Sequence, residues 1–337
     1  MEPSLRSPKI APATYARSSA APAKMPGGRL TLFSAAERRF CEPLLRNFIQ
    51  QHPDVELDFV FGLSTDLHRR YVEELSSGGP STSLLWSSAM DLQMRLVLDG
   101  HAQPHGVRHT LRPQDAYRDL ALATTCEPLF TLSRDPSVIA GTPGEITAQI
   151  MKDPDRLRRR IAIPDIESNG LGFLVMLRWS LQEPEFEAFL DALKCCAPRT
   201  AGSAATLVRA VADGAEFALH VLGAYALQAT ATNSMSHIAP SAAPPLAVTR
   251  VAFIPRRAPN PEAASAFLTY MLSPQGQAAM GEGGLIPITA PLMRAVEPIP
   301  LDHSFARLID PPTRAALLTR WRAMLGRSTH STGGSAP

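Results

Sequence analysis

Hydroxyl-bearing residues recur in this chain where an apolar run meets a helix. Ser34 follows residues 30–33, Ser64 and Thr65 follow 55–61, and Ser87 and Ser88 follow 84–86. A fourth junction, Ser168-Asn169-Gly170, separates the run 161–163 from an apolar stretch ending at Leu181. Ser, Thr and Asn are favoured helix N-caps, and Gly lets a backbone approach a ligand closely. A helix start carries unpaired N–H groups and a partial positive charge, so such a junction suits an anion. Any single junction reads more readily as an ordinary strand–loop–helix connection with a plain cap. The repetition is what points to binding. Ala35 and Glu37, in the first junction, belong to the same candidate set.

His220, on the apolar segment 216–221, and Tyr225, just after it, add an imidazole and a phenol. Trp86 adds an aromatic face. His220 also reads as a strand histidine in a lobe interior, and Trp86 as core packing. No GxSxG elbow, Walker loop, HExxH or GxGxxG occurs, and no His and carboxylate arrangement commits to acid–base work. An enzyme is therefore not expected. His101, His105 and His109 tempt a metal reading, but Pro104 and Gly106 interrupt any helix and no carboxylate or cysteine is placed to complete a site. Cys41, Cys126, Cys195 and Cys196 include no CxxC pair, which disfavours zinc. Neighbouring Cys195 and Cys196 rarely bridge, so buried thiols are expected, with one long-range disulfide left open.

The elements that must position these residues are predicted as follows. A strand at 30–33 leads into a helix with Phe40, Leu44, Leu45 and Phe48 on one face, regular from about Pro43. Strand 55–61 precedes a helix at 66–75 capped by Ser64 or Thr65, and strand 84–86 precedes a helix to about Leu98 capped by Ser87-Ser88. In a parallel sheet these turns share the carboxyl edge of the strands, where open α/β folds bind ligands. Residues 99–119 read as loop, 120–132 as an extended stretch able to cross between lobes, and 146–157 as a helix. Further along are a helix at 184–192, a turn at 200–203 with Ser203 capping a helix at 204–213, and an alternating strand at 216–221. A helix at 222–231, a Pro-rich loop at 232–245 and a strand at 246–254 follow. Asn260-Pro261 and Ser273-Pro274 open two more helices, and 311–325 is the last.

A length of 337 residues suits two domains, and 45% hydrophobic with 19% charged residues is globular. The net charge of +2, from 33 basic and 31 acidic residues, provides no general field for nucleic acid. The basic run 152–160 contains Asp and Pro and reads as a solvated helix end. No apolar run reaches membrane-spanning length. Residues 1–28 and 326–337 have the composition of disordered segments, and the first lacks the apolar core of a secretion signal.

Four segments in order carry a family resemblance: LTLFSAAE with EPLLRNF downstream, LLWSSAMDLQ, RRRIAIPDIESNGLGFL, and APNPEAASAFLTYMLSPQGQAAMGEGGLIPI. Over roughly residues 29–325 the chain resembles the extracellular solute-binding proteins of ABC transporters, in the ferric-iron-binding-protein-like subgroup. The resemblance implies an α/β, two-lobe type II periplasmic binding fold, each lobe a mixed sheet flanked by helices, with the ligand in a cleft between lobes. Lobe one is expected from 29–123 plus 251–294, and lobe two from 124–250 plus 295–325. Iron-binding members use adjacent tyrosines after the strand that here reads EFALHV. Tyr225 matches the first, and Ala226 stands in place of the second. Other members bind phosphorylated sugars, phosphonates or similar small anions through N–H groups and hydroxyls. The expected ligand is therefore a small anion held by Ser34, Ala35, Glu37, Ser64, Thr65, Trp86, Ser87, Ser88, Ser168, Asn169, Gly170, His220 and Tyr225, with no cofactor. Ferric iron held by Tyr225 with a synergistic anion is the alternative. Implied partners are a membrane ABC permease or a sensor-kinase ectodomain, with no nucleic acid. The protein is expected to be monomeric and periplasmic, with no leader evident in this chain.

Overall fold

The computed structural model describes residues 28–138, 141–233, 235–241, 245–290 and 296–326, and the backbone of Ala13–Tyr15. The chain forms two compact units. Unit 1 comprises Met1–Cys126, Thr249–Ala290 and Pro300–Asp302, and unit 2 comprises Glu127–Val248, Pro291–Ile299 and His303–Pro337.

Unit 1 starts with β1 (Ala13–Tyr15), β2 (Gly28–Ser34), α1 (Arg38–Gln51), β3 (Val55–Phe61), α2 (Ser64–Ser76), β4 (Leu84–Ser87) and α3 (Met90–Leu98). The short strands β5 (Ala102–Gln103), β6 (Ala116–Tyr117) and β7 (Ala121–Ala123) follow. Unit 2 takes over with β8 (Glu127–Ser133), α4 (Pro143–Lys152), β9 (Ile161–Pro164), α5 (Gly170–Gln182), α6 (Phe186–Cys196), β10 (Arg199–Ala201) and α7 (Ala204–Ala212). It continues through β11 (Phe217–Leu222), α8 (Gly223–Thr232), β12 (His237–Pro240) and β13 (Leu246–Val248). The chain then returns to unit 1 for β14 (Val251–Pro255), α9 (Pro261–Leu272) and α10 (Pro274–Gly283). It closes unit 2 with β15 (Glu297–Pro298), α11 (Phe305–Leu308) and α12 (Pro311–Met324).

The sheet of unit 1 runs β1-β3-β2-β4-β14-β7-β6, with β5 joined to β14. β3, β2 and β4 are parallel, whereas β14 is antiparallel to β4. The sheet of unit 2 runs β10-β9-β11-β8-β13-β15, with β12 on β8. Here β10, β9 and β11 are parallel, and β8 is antiparallel to β11. Parallel strands are covered on both faces, which is why LTLF, IAIP and FALHVL are largely apolar and, apart from half-buried Thr31, buried. Helix α1 buries Phe40, Cys41, Leu44, Leu45, Phe48 and Ile49 along one face. Helix α5 is apolar nearly all round because it packs against β9, α6, α11 and α12.

Several expectations need correction. Helix α1 is regular from Arg38, with Pro43 inside it. The proline removes one bond, to the Arg39 carbonyl near the exposed start, while the buried face holds the helix together. The expected turn 200–203 overlaps β10, which pairs with β9, and the expected loop 232–245 contains β12, which pairs with β8. The loop-like 99–119 holds β5 and β6. Residues 300–302 return to unit 1, where the Leu301 N–H donates to the Gln114 carbonyl at 2.7 Å. Within 1–28, Ala13–Tyr15 pairs antiparallel with β3. The rest of the expected disordered stretches, 1–12, 16–27 and 327–337, lies outside the described residues.

Candidate functional site

In unit 1 the parallel register sets Ser34 beside Phe61 and Trp86, so β2, β3 and β4 end on one edge. The backbone stitches the turns there: the Ala35 N–H donates to the Trp86 carbonyl at 3.3 Å, and the Gly62 N–H to the Ser34 carbonyl at 3.3 Å. This edge, the rim of unit 1, brings together Ser34, Ala35, Glu37, Ser64, Thr65, Ser87 and Ser88.

The hydroxyls do not act there as the expected caps. Ser34 Oγ accepts from the Ala36 N–H and Ser87 Oγ from the Ala89 N–H, both at 3.1 Å, each two residues on. These are local turns that shape the rim. Helix α2 begins at Ser64 with Leu63 as its N-cap, and α3 has Ala89 as its N-cap, so neither Ser64, Thr65, Ser87 nor Ser88 caps a helix. Glu37 is the N-cap of α1, makes no capping bond, and pairs with Arg39 at 2.8 Å. All three helix starts of this rim therefore lack a side-chain cap. Each carries a carboxylate instead: Glu37, Asp66 and Asp91. Trp86 does not reach the rim surface. Its side chain is fully buried and its indole N–H donates to Thr124 Oγ1 at 2.7 Å.

Phe61 was not among the candidates. It ends β3 beside Ser34 and is 42% exposed, although every preceding residue of that strand is buried or half-buried. An aromatic face thus stands open on the rim. The only sequence signal is its place as the last apolar residue before Gly62.

In unit 2, β9, β10 and β11 end on one edge, with Ala201 in register with Pro164. The turn after β9 is tightly held. The Asp165 N–H donates to the Ala201 carbonyl at 2.8 Å, and the Ser168 and Asn169 N–H groups donate to the Asp165 carbonyl at 3.0 and 2.7 Å. Asn169 caps α5, its Oδ1 accepting from the Gly172 N–H at 2.9 Å. Gly172 permits the close approach of helix and strand, since a Cβ there would fall 2.2 Å from Pro164 Cβ. The two acids of the turn are occupied: Asp165 Oδ1 accepts from the Glu167 N–H, and Glu167 pairs with Arg322 at 2.7 Å. Helices α5, α7 and α8 start on this edge, and none has an acidic residue in its first turn. The rim of unit 2 brings together Ser168, Asn169, Gly170 and Tyr225, the last in the first turn of α8, where it is 7% exposed.

His220 lies two residues before the end of β11, behind this rim. It occupies a bulge of β11 at φ +55°, a left-handed conformation uncommon for a non-glycine residue. Its ring stands edge-on to Trp179 at 4.4 Å and is 2% exposed. Neither ring nitrogen has a hydrogen-bond partner among the described residues. Burial pushes the imidazole down to about 3, so it is neutral at physiological pH.

The comparisons with known proteins agree with this architecture. The family model described as bacterial extracellular solute-binding protein matches residues 30–286. A substrate-binding protein of an ABC transporter from Agrobacterium tumefaciens superposes with a TM-score of 0.85 at 24% identity, covering 96% of this chain and all of that one. AfuA from Actinobacillus pleuropneumoniae, bound to fructose 6-phosphate, gives 0.71 at 19% identity, covering 89% of this chain and 99% of AfuA. Iron-bound HitA from Pseudomonas aeruginosa gives 0.67 at 16%, with the same coverage. These likenesses establish the two-lobe periplasmic binding fold. A comparison with curated proteins finds no matching relative. With the family match spanning most of the sequence, from Leu30 in β2 to Ile286 after α10, the chain belongs to the bacterial extracellular solute-binding proteins.

Proposed function

We propose that the protein works in the periplasm, where it captures a small anionic solute, such as a phosphorylated sugar or a phosphonate, and delivers it to an ABC permease or a sensor-kinase ectodomain. The observation that carries this reading is the distribution of charge at the helix starts. Counting N-cap and first turn together, each helix start on the rim of unit 1 bears a carboxylate, Glu37 at the N-cap of α1 and Asp66 and Asp91 in the first turns of α2 and α3, whereas α5, α7 and α8 on the rim of unit 2 bear none. The partial positive charge of a helix start is thus offset in unit 1 and left for a ligand in unit 2. On this reading the acidic group of the solute lies over Ser168-Asn169-Gly170. The hydroxyl-bearing part lies on the rim formed by Ser34, Ser64, Thr65, Ser87 and Ser88. Each unit supplies part of the ligand's shell, so binding favours a closed state by its differential affinity, and the partner reads closure. The fructose 6-phosphate held by AfuA supports the choice of solute class.

Ferric iron is the second reading, favoured by the place of Tyr225 in the first turn of α8. A melting experiment separates the two. An anion at 100 times its Kd stabilises the protein by about 2.7 kcal/mol, a rise of roughly 5–10 °C for units of this size. Fructose 6-phosphate or a phosphonate should produce that rise in a colourless protein. A colour from phenolate-to-iron charge transfer, with no response to the anions, would decide for iron.

A further inference from the structure

We propose that unit 1 carries a second binding site, for a small oxyanion such as phosphate or a carboxylate, in a cavity on the edge of its sheet opposite the rim. The cavity has a volume of about 590 Å³, and Tyr71, Leu75, Asp99, His101, Arg256 and Arg257 line it. It lies where α2, α3 and β14 end. Because β14 is antiparallel to β4, its end at Pro255 falls beside the start of β4, whereas the rim lies at the end of β4. Seven residues of β2 span roughly 20 Å between the two edges.

Two independent observations identify the chemistry. The first is uncompensated positive charge. Arg256 and Arg257 are exposed neighbours, and neither forms an ion pair among the described residues. Asp99 is the sole acid of the lining and sits 3.7 Å from Arg95. The carbonyl ends of α2 and α3 both lie here and would repel an anion, and each is closed by its own turn; in α2 the Ser77 and Gly79 N–H groups donate to the Glu74 carbonyl at 3.2 and 2.8 Å. Gly100, at φ +82°, donates its N–H to the Val97 carbonyl, and His101 donates to the Leu96 carbonyl at 2.9 Å. Arg257 uses one donor on the Leu75 carbonyl, at a long 3.4 Å, and a guanidinium has five.

The second is an unanswered donor. Tyr71 is completely buried, yet its hydroxyl has no hydrogen-bond partner among the described residues. Its ring is fixed edge-on by His101 at 6.5 Å and Phe253 at 6.4 Å, so the phenol cannot swing away to find one. Burial, with a smaller contribution from the Glu74 carboxylate, raises its pKa to about 12 against the opposing influence of Arg257, so the group is a protonated donor at neutral pH. A buried donor left unmade is costly, and a small shift of the lining that opens the Tyr71 hydroxyl to the cavity lets an oxyanion accept from it and from the guanidinium fork together. Capping α2 through Leu75 accounts for one donor of Arg257 and leaves Tyr71 and Arg256 unexplained.

Backbone ¹H–¹⁵N spectra of the full chain, titrated with millimolar inorganic phosphate and separately with citrate, test the proposal. Saturating shifts are expected at Gly100, His101, Arg256 and Arg257 with at least one probe. The double variant R256A/R257A should weaken that response by about tenfold or more, and Y71F by about threefold to tenfold. Both variants should keep the wild-type circular dichroism. A Ser168→Asp variant should keep these shifts, because the site does not depend on the ligand reading of unit 2. Absence of saturating shifts with both probes, or an unchanged titration in R256A/R257A, overturns the proposal.

Discussion

Replacing Ser168 by Asp sets two consequences of one charge against each other. Ser168 is half-buried in the turn before α5, two residues ahead of its first turn, and α5 has no acid of its own there. A carboxylate at this position meets the positive end of the helix, which stabilises a folded protein by about 0.3–1 kcal/mol. The same carboxylate would stand about 5 Å from an anion bound at Asn169 and Gly170. Coulomb's law gives a repulsion of roughly 0.8 kcal/mol at the dielectric of water and about 3 kcal/mol at an effective value of 20. Affinity should therefore fall by between about fourfold and about 200-fold while the unliganded protein melts slightly higher. Calorimetric titration with the solute that raises the melting temperature most, alongside melting of the unliganded variant, reads both effects. An unchanged Kd in S168D would place the acidic group elsewhere and refute the charge argument.

Three further outcomes follow from the geometry. Asn169→Ala removes the cap from the Gly172 N–H and should cost about 1 kcal/mol, a fall of roughly 2–4 °C in melting followed by circular dichroism. Phe61→Ala should leave the melting temperature nearly unchanged, because the side chain is 42% exposed. It should also weaken fructose 6-phosphate about threefold to tenfold while sparing inorganic phosphate, if the sugar lies on the ring. His220 titrates near 3 in the folded protein against 6.5 when unperturbed, so below about pH 6.5 the unfolded chain binds a proton that the folded one does not. Stability present above that pH is lost on acidification, by up to about 1.4 kcal/mol per pH unit. Urea unfolding at pH 7, 6 and 5 should show a shallower pH slope for His220→Asn, whose side chain tolerates the left-handed backbone.

The strand–turn–helix repeats were legible because apolar runs of strand length alternate with turn residues and then helical periodicity, a pattern that only a covered parallel sheet requires. Caps at Ser203, Asn260 and Ser273 were readable for a related reason, since each stands directly before its helix and bonds three residues on. The hydroxyls at 34, 64, 65, 87 and 88 misled because capping depends on the backbone angles of a single residue. Leu63 and Ala89 occupy that place, and Ser34 and Ser87 bond only two residues on. β10 and β12 are three and four residues long and partly polar. Their pairing is imposed by β9 and β8, which are far away in sequence. The alternation in EFALHV hid a bulge at His220, where the register slips between Ala218 and Val221. Nor does sequence separate Phe61 from Phe59, two positions earlier on the same face, since one lies under the helices and the other at the open edge.

The most direct test of the central claim is a crystal structure of the protein with the solute that co-purifies with it. An acidic group within hydrogen-bond distance of the backbone at Asn169 and Gly170 is the expected result. A metal ion on the Tyr225 phenolate, or a solute whose acidic group sits among Glu37, Asp66 and Asp91, would contradict it.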